Sequence, residues 1–334
     1  MSFSVLSLPE IEALVLAVLV ENGLDPAQAR AVADTVTRAE ADGCRSHGLY
    51  RVPGYVAALR SGRVNPAARP SVRQVAPALI SVDGDGGFAP EAVRCGTQAL
   101  TDATRRNGIA AMAVGRCHHF SALWADVEPF VAAGLVVWAY VVGQNSVAPH
   151  GGTRPLMGTN PLAFGWPRPG AEPFVFDFAT SATARGEVEL RALAGQDIPA
   201  GWALDAAGQP TTDPAAALGG ALLPFGGHKG SALSLMVELI AGPLIGELSS
   251  QAVAGLGITD GGPPPGGELF IALDPAAFGT GTTQAEDIFA AALSQPGVRL
   301  PSERRYRARA RSRTAGVEVA TAMLRQIGAL RARA

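Results

Sequence analysis

"ALISVDGDGGFAPEAVRCGTQALTDATRRNGIAAMAVGR", residues 78–116, reads as a short strand, an amphipathic helix and a second apolar strand. The turn after the first strand is where a dinucleotide-binding α/β fold would cradle a pyrophosphate. It fails that test. "DGDGGF" (83–88) has the wrong spacing for Gly-x-Gly-x-x-Gly, and no acidic residue stands at the required distance downstream. The expected fold class is therefore mixed α/β and non-Rossmann.

Upstream, the first 63 residues look helical. Ser7 and Pro9 start one helix that Gly23 stops, and Asp25 and Pro26 start a second that ends at Gly43. A third helical piece is expected from about His47 to Leu59, capped by Ser46 and disturbed at Pro53 and Gly54. Downstream, strand-like runs occupy 135–143, 162–167, 173–178 and 269–275. Residues 198–220 read as irregular, 230–246 as an apolar helix, 257–267 as a flexible Pro/Gly connector and 317–334 as a terminal helix. Three units are expected: a helical segment over 1–75, a mixed-sheet domain over 76–300 and a returning segment over 301–334.

With 334 residues, 48% hydrophobic and 17% charged, the chain has ample core and no disorder signature. A net charge of −2 gives no reason to expect nucleic acid as a partner. The apolar run 11–20 is shorter than a membrane span and is flanked by Glu10 and Glu21. Cys44, Cys95 and Cys117 form no CxxC pair, so they read as reduced thiols of a cytoplasmic protein.

Several stretches carry groups suited to chemistry, although each also admits a structural reading. In "GCRSHGLYRVPGY" (43–55), a helix capped by Ser46 would set His47 and Arg51 at i and i+4 on one face. An imidazole exchanges protons near neutrality, and a guanidinium grips a carboxylate. His118 and His119 end a strand, but adjacent histidines rarely point the same way, so no metal is expected there. Gly151, Gly152 and Gly158 precede Thr159 and Asn160 in a turn that offers donors. Asp177, Thr180 and Ser181 follow a strand, and Glu187 lies where it can face a histidine across a pocket. Lys229, the only lysine among 27 basic residues, sits with His228 in a glycine-rich turn before an apolar helix. The basic run 300–313 is either a solvated face or a clamp on a cofactor phosphate.

In this order, the motifs resemble the type-2 malate/L-lactate dehydrogenase family. More narrowly, "HHFSALWADVEPF" (118–130) and "GGHKGSALS" (226–234) are similar to its Δ1-piperideine-2-carboxylate/Δ1-pyrroline-2-carboxylate reductase branch. "GTNP" (158–161) and "ATS" (179–181) mark the wider family, and the likeness runs through most of the chain. It implies a non-Rossmann mixed sheet that binds a nicotinamide cofactor, NADPH before NADH, in a homodimer. It also implies reduction of a small cyclic imine carboxylate. Two other readings stay open: a malate- or lactate-type dehydrogenase, and a ketimine-binding protein without activity.

Carried over by position, the resemblance makes Ser46, His47 and Glu187 a relay with His47 as proton donor. Glu187 stands where relatives have Asp. Arg51, Thr159, Arg185 and Gly186 fall at substrate positions. Cofactor positions are His119, Phe120, Ser121, Ala122 and Leu123; Asp177, Phe178 and Ala179; His228 and Lys229; and Leu300, Pro301, Ser302, Glu303, Arg304, Arg305 and Tyr306.

Overall fold

The computed structural model describes residues 2–120, 122–279 and 282–331. The chain begins with β1 (Phe3–Leu6), α1 (Leu8–Glu21), α2 (Pro26–Ala41), α3 (Val52–Arg60), β2 (Ser71–Ala76), β3 (Leu79–Asp83), α4 (Ala89–Asn107) and β4 (Ile109–His118). It continues through α5 (Leu123–Ala132), β5 (Val136–Val141), β6 (Leu162–Trp166), β7 (Phe174–Phe178), α6 (Arg185–Ala194), β8 (Ala203–Leu204), β9 (Pro210–Thr211), α7 (Pro214–Gly219) and β10 (Ala221–Leu222). The last elements are α8 (His228–Ile240), α9 (Ser250–Gly255), β11 (Pro265–Leu273), α10 (Ala285–Leu293), α11 (Glu303–Ala315), β12 (Val317–Ala320) and α12 (Thr321–Gly328).

Among the described residues, the main sheet has seven strands in the order β2-β3-β4-β11-β5-β6-β7. Only β3 and β4, joined across α4, run parallel. β11 inserts antiparallel to both β4 and β5. The sheet is mixed, as expected. One face buries Val82, Met112, Val114, Val137 and Phe270 against Leu100 of α4 and Leu123 and Phe130 of α5. Gly96 lets α4 approach this closely, because a Cβ there would overlap Val82 and Met112.

A second core joins α1, α2 and α3 to Val317, Val319 and Ile327 near the C-terminal end. The capping signals act as read: Ser7 and Glu10 form a reciprocal box, and the Asp25 carboxylate accepts from the Ala27 amide at 2.9 Å. β1 pairs antiparallel with β12, from Phe3 opposite Ala320 to Leu6 opposite Val317. Buried Asp42, just past α2, takes two 2.6 Å bonds from Arg309 of α11 and one of 2.9 Å from the Trp124 indole. Removing one partner of such a buried pair typically costs about 3–5 kcal/mol, so these contacts hold α2, α5 and α11 in register.

Five local expectations need correcting. Residues 45–51 form two 3₁₀ turns, Arg45–His47 and Leu49–Arg51, and the α-helix starts only at Val52. Ser46 is therefore no helix cap, and Pro53 belongs to a helix start, where its missing N–H costs nothing. Residues 198–220 carry β8, β9 and α7, and the short sheet β10-β8-β9 covers Ile198 and Ala203. The apolar helix begins at His228 and ends before Gly242 and Pro243. Within 257–267, Arg63 grips Asp260 at 2.7 and 2.9 Å, and Pro265–Gly267 already belong to β11. The terminal helix is preceded by β12; residues 332–334 lie outside the described residues.

Candidate active site

A cleft of about 1050 Å³ opens between the 3₁₀ turns, the end of β7, the start of α6 and residues 299–305. The turns hold their shape because buried Glu40 reaches in from α2 and accepts the Leu49 amide at 2.7 Å. Gly48 makes room, since a Cβ there would overlap the Glu40 carboxylate. This close packing accompanies the 3₁₀ rather than α-helical path of the segment.

Ser46 sits at the centre of the cleft wall. Its Oγ lies 3.0 Å from His47 Nδ1, and its carbonyl accepts from Arg51 Nε at 2.7 Å. One residue thus fixes both the imidazole and the guanidinium. The His47 ring meets Trp124 edge to face at 5.7 Å, and the Arg51 guanidinium lies over the Phe120 ring at 4.6 Å. His47 is only partly exposed. Burial, and then the neighbouring Arg51 charge, pushes its imidazole down to about 3, so the free site holds it neutral at pH 7.

Other expected residues reach the same cleft. Gly186 lies against Arg51, where a Cβ would stand 2.7 Å from one guanidinium nitrogen. Thr159 is held through its carbonyl, which accepts from the Thr180 amide at 2.8 Å. Its neighbour Asn160 is buried at φ +37° and donates to the Ser234 carbonyl at 3.0 Å and Glu238 at 2.7 Å. Phe178, Ala179, Arg185, Leu300, Pro301, Ser302 and Arg304 also line the cleft. Asp177 accepts from the Trp124 amide at 3.1 Å, and burial pushes its carboxyl up to about 6.

Some positions are placed differently. Glu187 lines the cleft, but its carboxylate is turned to Arg191 at 3.2 Å; among the described residues no contact joins it to Ser46 or His47. His119 and Ala122 share with His47 a buried cavity of about 10 Å³ behind the cleft, room for about one water. Leu123 is buried in the core. His228 and Lys229 are exposed in the first turn of α8 and do not line the cleft.

In the 300–306 segment, Arg305 is buried, donates to the Val175 carbonyl at 3.1 Å and to Ser302 Oγ, and lies over the Trp124 ring. Exposed Arg304 and Arg299 are left as guanidinium groups on that rim. Glu303 accepts the Leu300 amide at 3.0 Å, and Tyr306 donates to the Pro173 carbonyl at 3.0 Å, so both brace the segment. Ser121 lies outside the described residues.

Three residues not singled out from the sequence belong here: Tyr50, Trp124 and Glu189. Glu189 lies 3.6 Å from Arg51 and 3.4 Å from Arg185, and it accepts the Tyr50 hydroxyl at 3.2 Å. Its signal was available, because Arg185 and Glu189 are four apart at the start of α6.

A mixed sheet with a Ser–His pair and an arginine-lined cleft sets this chain apart from Rossmann dehydrogenases. Residues 6–328 match the family model described as Malate/L-lactate dehydrogenase, and the chain belongs to that family of nicotinamide-dependent oxidoreductases. The Delta(1)-pyrroline-2-carboxylate reductase of Ancylobacter novellus is 59% identical over 330 residues, 97% of each chain. The Delta(1)-pyrroline-2-carboxylate/Delta(1)-piperideine-2-carboxylate reductase of Pseudomonas aeruginosa is 49% identical over 330 residues, 97% of this chain and 98% of its own. The solved structure of delta1-piperideine-2-carboxylate reductase from Pseudomonas syringae pathovar tomato matches with a TM-score of 0.94 at 43% identity. That match covers 98% of this chain and 99% of the other.

Proposed function

We propose that the protein reduces Δ1-pyrroline-2-carboxylate and Δ1-piperideine-2-carboxylate to L-proline and L-pipecolate, with NADPH as reductant. The observation that carries this reading is Ser46 holding His47 and Arg51 on one wall of the cleft. Arg51 and Thr159 bind the ring carboxylate and turn the imine carbon toward the reductant. His47, with its Nδ1 side fixed by Ser46, takes up a proton from water and passes it to the ring nitrogen. When bound, the nicotinamide supplies the hydride. A cleft of about 1050 Å³ supports a reading in which the cofactor lies beside a small acid. Exposed Arg304 supports a 2′-phosphate and hence NADPH over NADH. The direct test is nicotinamide oxidation with each imine; no turnover of either would end this reading.

In the free site, burial first and the Arg51 charge second hold the His47 pKa down to about 3. A carboxylate on Arg51 cancels part of the second cause, so binding moves the imidazole toward protonation.

A homodimer is part of the proposal. α8 turns Leu235 and Leu239 to solvent at 42% and 60% exposure, and Leu244 beyond it is 70% exposed. An apolar face of this kind supports burial against a second copy. Sedimentation should return twice the 34.2 kDa chain mass, and Leu239→Asp should lower it. A cytoplasmic location is supported by the cysteines, all three of which are free. Among the described residues no helix is long and apolar enough to cross a membrane.

A further inference from the structure

We infer that Glu189 sets the charge count of the substrate pocket, so that it accepts one carboxylate and rejects two. The inference rests on the proposed binding of the substrate carboxylate at Arg51. Arg51 and Arg185 line the cleft together with Arg45, Arg299, Arg304 and Arg305, and Glu189 stands behind the first two rather than in the lining. Glu189 lies beside both of them, with Oε2 3.6 Å from Arg51 Nη1 and Oε1 3.4 Å from Arg185 Nε.

The Glu189 carboxylate is held in that bridging pose. Tyr50 donates its hydroxyl to Oε2 at 3.2 Å, and Glu189 follows Arg185 by one turn of α6. Arg51 cannot easily swing away, because Nε is bonded to the Ser46 carbonyl and its plane lies over Phe120. Of the carboxylates that line the cleft, Glu187 is paired with Arg191 and Asp177 accepts from the Trp124 amide, so neither faces Arg51 or Arg185 as a partner. At Arg51 and Arg185, two positive charges and one negative leave a net charge of one, which a single carboxylate satisfies. A second carboxylate at these two arginines would oppose Glu189, and such like-charge opposition is how sites reject close analogues. Glu189 is thus a positioning residue that acts through the two arginines.

The test is a charge cycle read by calorimetry, with pyrrole-2-carboxylate and pyrrole-2,5-dicarboxylate as probes. The wild-type protein should bind the monoacid at least tenfold tighter than the diacid. Glu189→Gln, which keeps an acceptor for Tyr50, should move that ratio at least tenfold toward the diacid. Glu189→Asp should retain the original preference. Arg185→Ala should weaken monoacid binding at least fivefold, because Glu189 then cancels Arg51. Adding Glu189→Gln to Arg185→Ala should restore monoacid binding, which a role of Arg185 as a simple ligand contact would not produce. A Glu189→Gln ratio within threefold of wild type, or no restoration in the double variant, overturns the inference. Failure of the wild-type protein to bind either probe would instead overturn the carboxylate site itself.

Discussion

Replacing His47 with alanine should lower kcat by about 10²–10⁴-fold, the usual contribution of a positioned proton donor. Cofactor affinity should stay within about twofold, because the arginine-bearing rim at 299–305 is a separate wall of the cleft. The two readouts separate a chemical role from a structural one. His47 also packs edge-on to Trp124, so loss of its ring could disturb the cleft. His47→Gln fills much of the same space without an imidazole to relay the proton, and it should be as slow as alanine. Near-normal turnover in either variant would remove His47 from the chemistry.

Arg51→Ala should reduce kcat/KM for the imines by about 10²–10³-fold, mostly through KM. Truncating one partner of a desolvated charge pair costs about 2–5 kcal/mol. Here the loss has two parts: the fork that binds the carboxylate disappears, and Glu189 loses one of its two guanidinium neighbours. Arg51→Lys should recover little. An ammonium cannot donate to the Ser46 carbonyl while presenting a planar pair of donors to the ligand. Wild-type KM in the lysine variant would show that only charge, not geometry, matters at this position.

The features readable from the sequence were the local ones. Ser7 with Glu10, and Asp25 with Pro26, place α1 and α2, because a cap is a contact between residues a few positions apart. The alternating runs that became β4, β5, β6 and β7 were also visible, as was the failed dinucleotide turn at 83–88. Long-range pairings were not. β12 is a strand because it pairs with β1, more than 300 residues away, and four residues of either give no signal alone.

The site divided along the same line. Ser46, His47 and Arg51 do lie together, but two 3₁₀ turns wrapped on Glu40, not one helical face, bring them together. Glu187 and Glu189 differ by two positions on α6 and so point in different directions. Sequence could not say which would meet Arg51, whereas the structure puts Glu189 there and pairs Glu187 with Arg191. His228 and Lys229 stood out by composition, yet they lie outside the cleft of the single chain.

The most direct measurement is the initial rate of NADPH oxidation with pyrroline-2-carboxylate, piperideine-2-carboxylate, pyruvate and oxaloacetate at equal concentration. Both imines should be reduced at least 100-fold faster than either keto acid. The two rings should differ less from each other, because one methylene in a pocket is worth only about 1–3 kcal/mol. Faster turnover of pyruvate or oxaloacetate than of both imines would contradict the assignment and make the protein a 2-hydroxy-acid dehydrogenase of the same family.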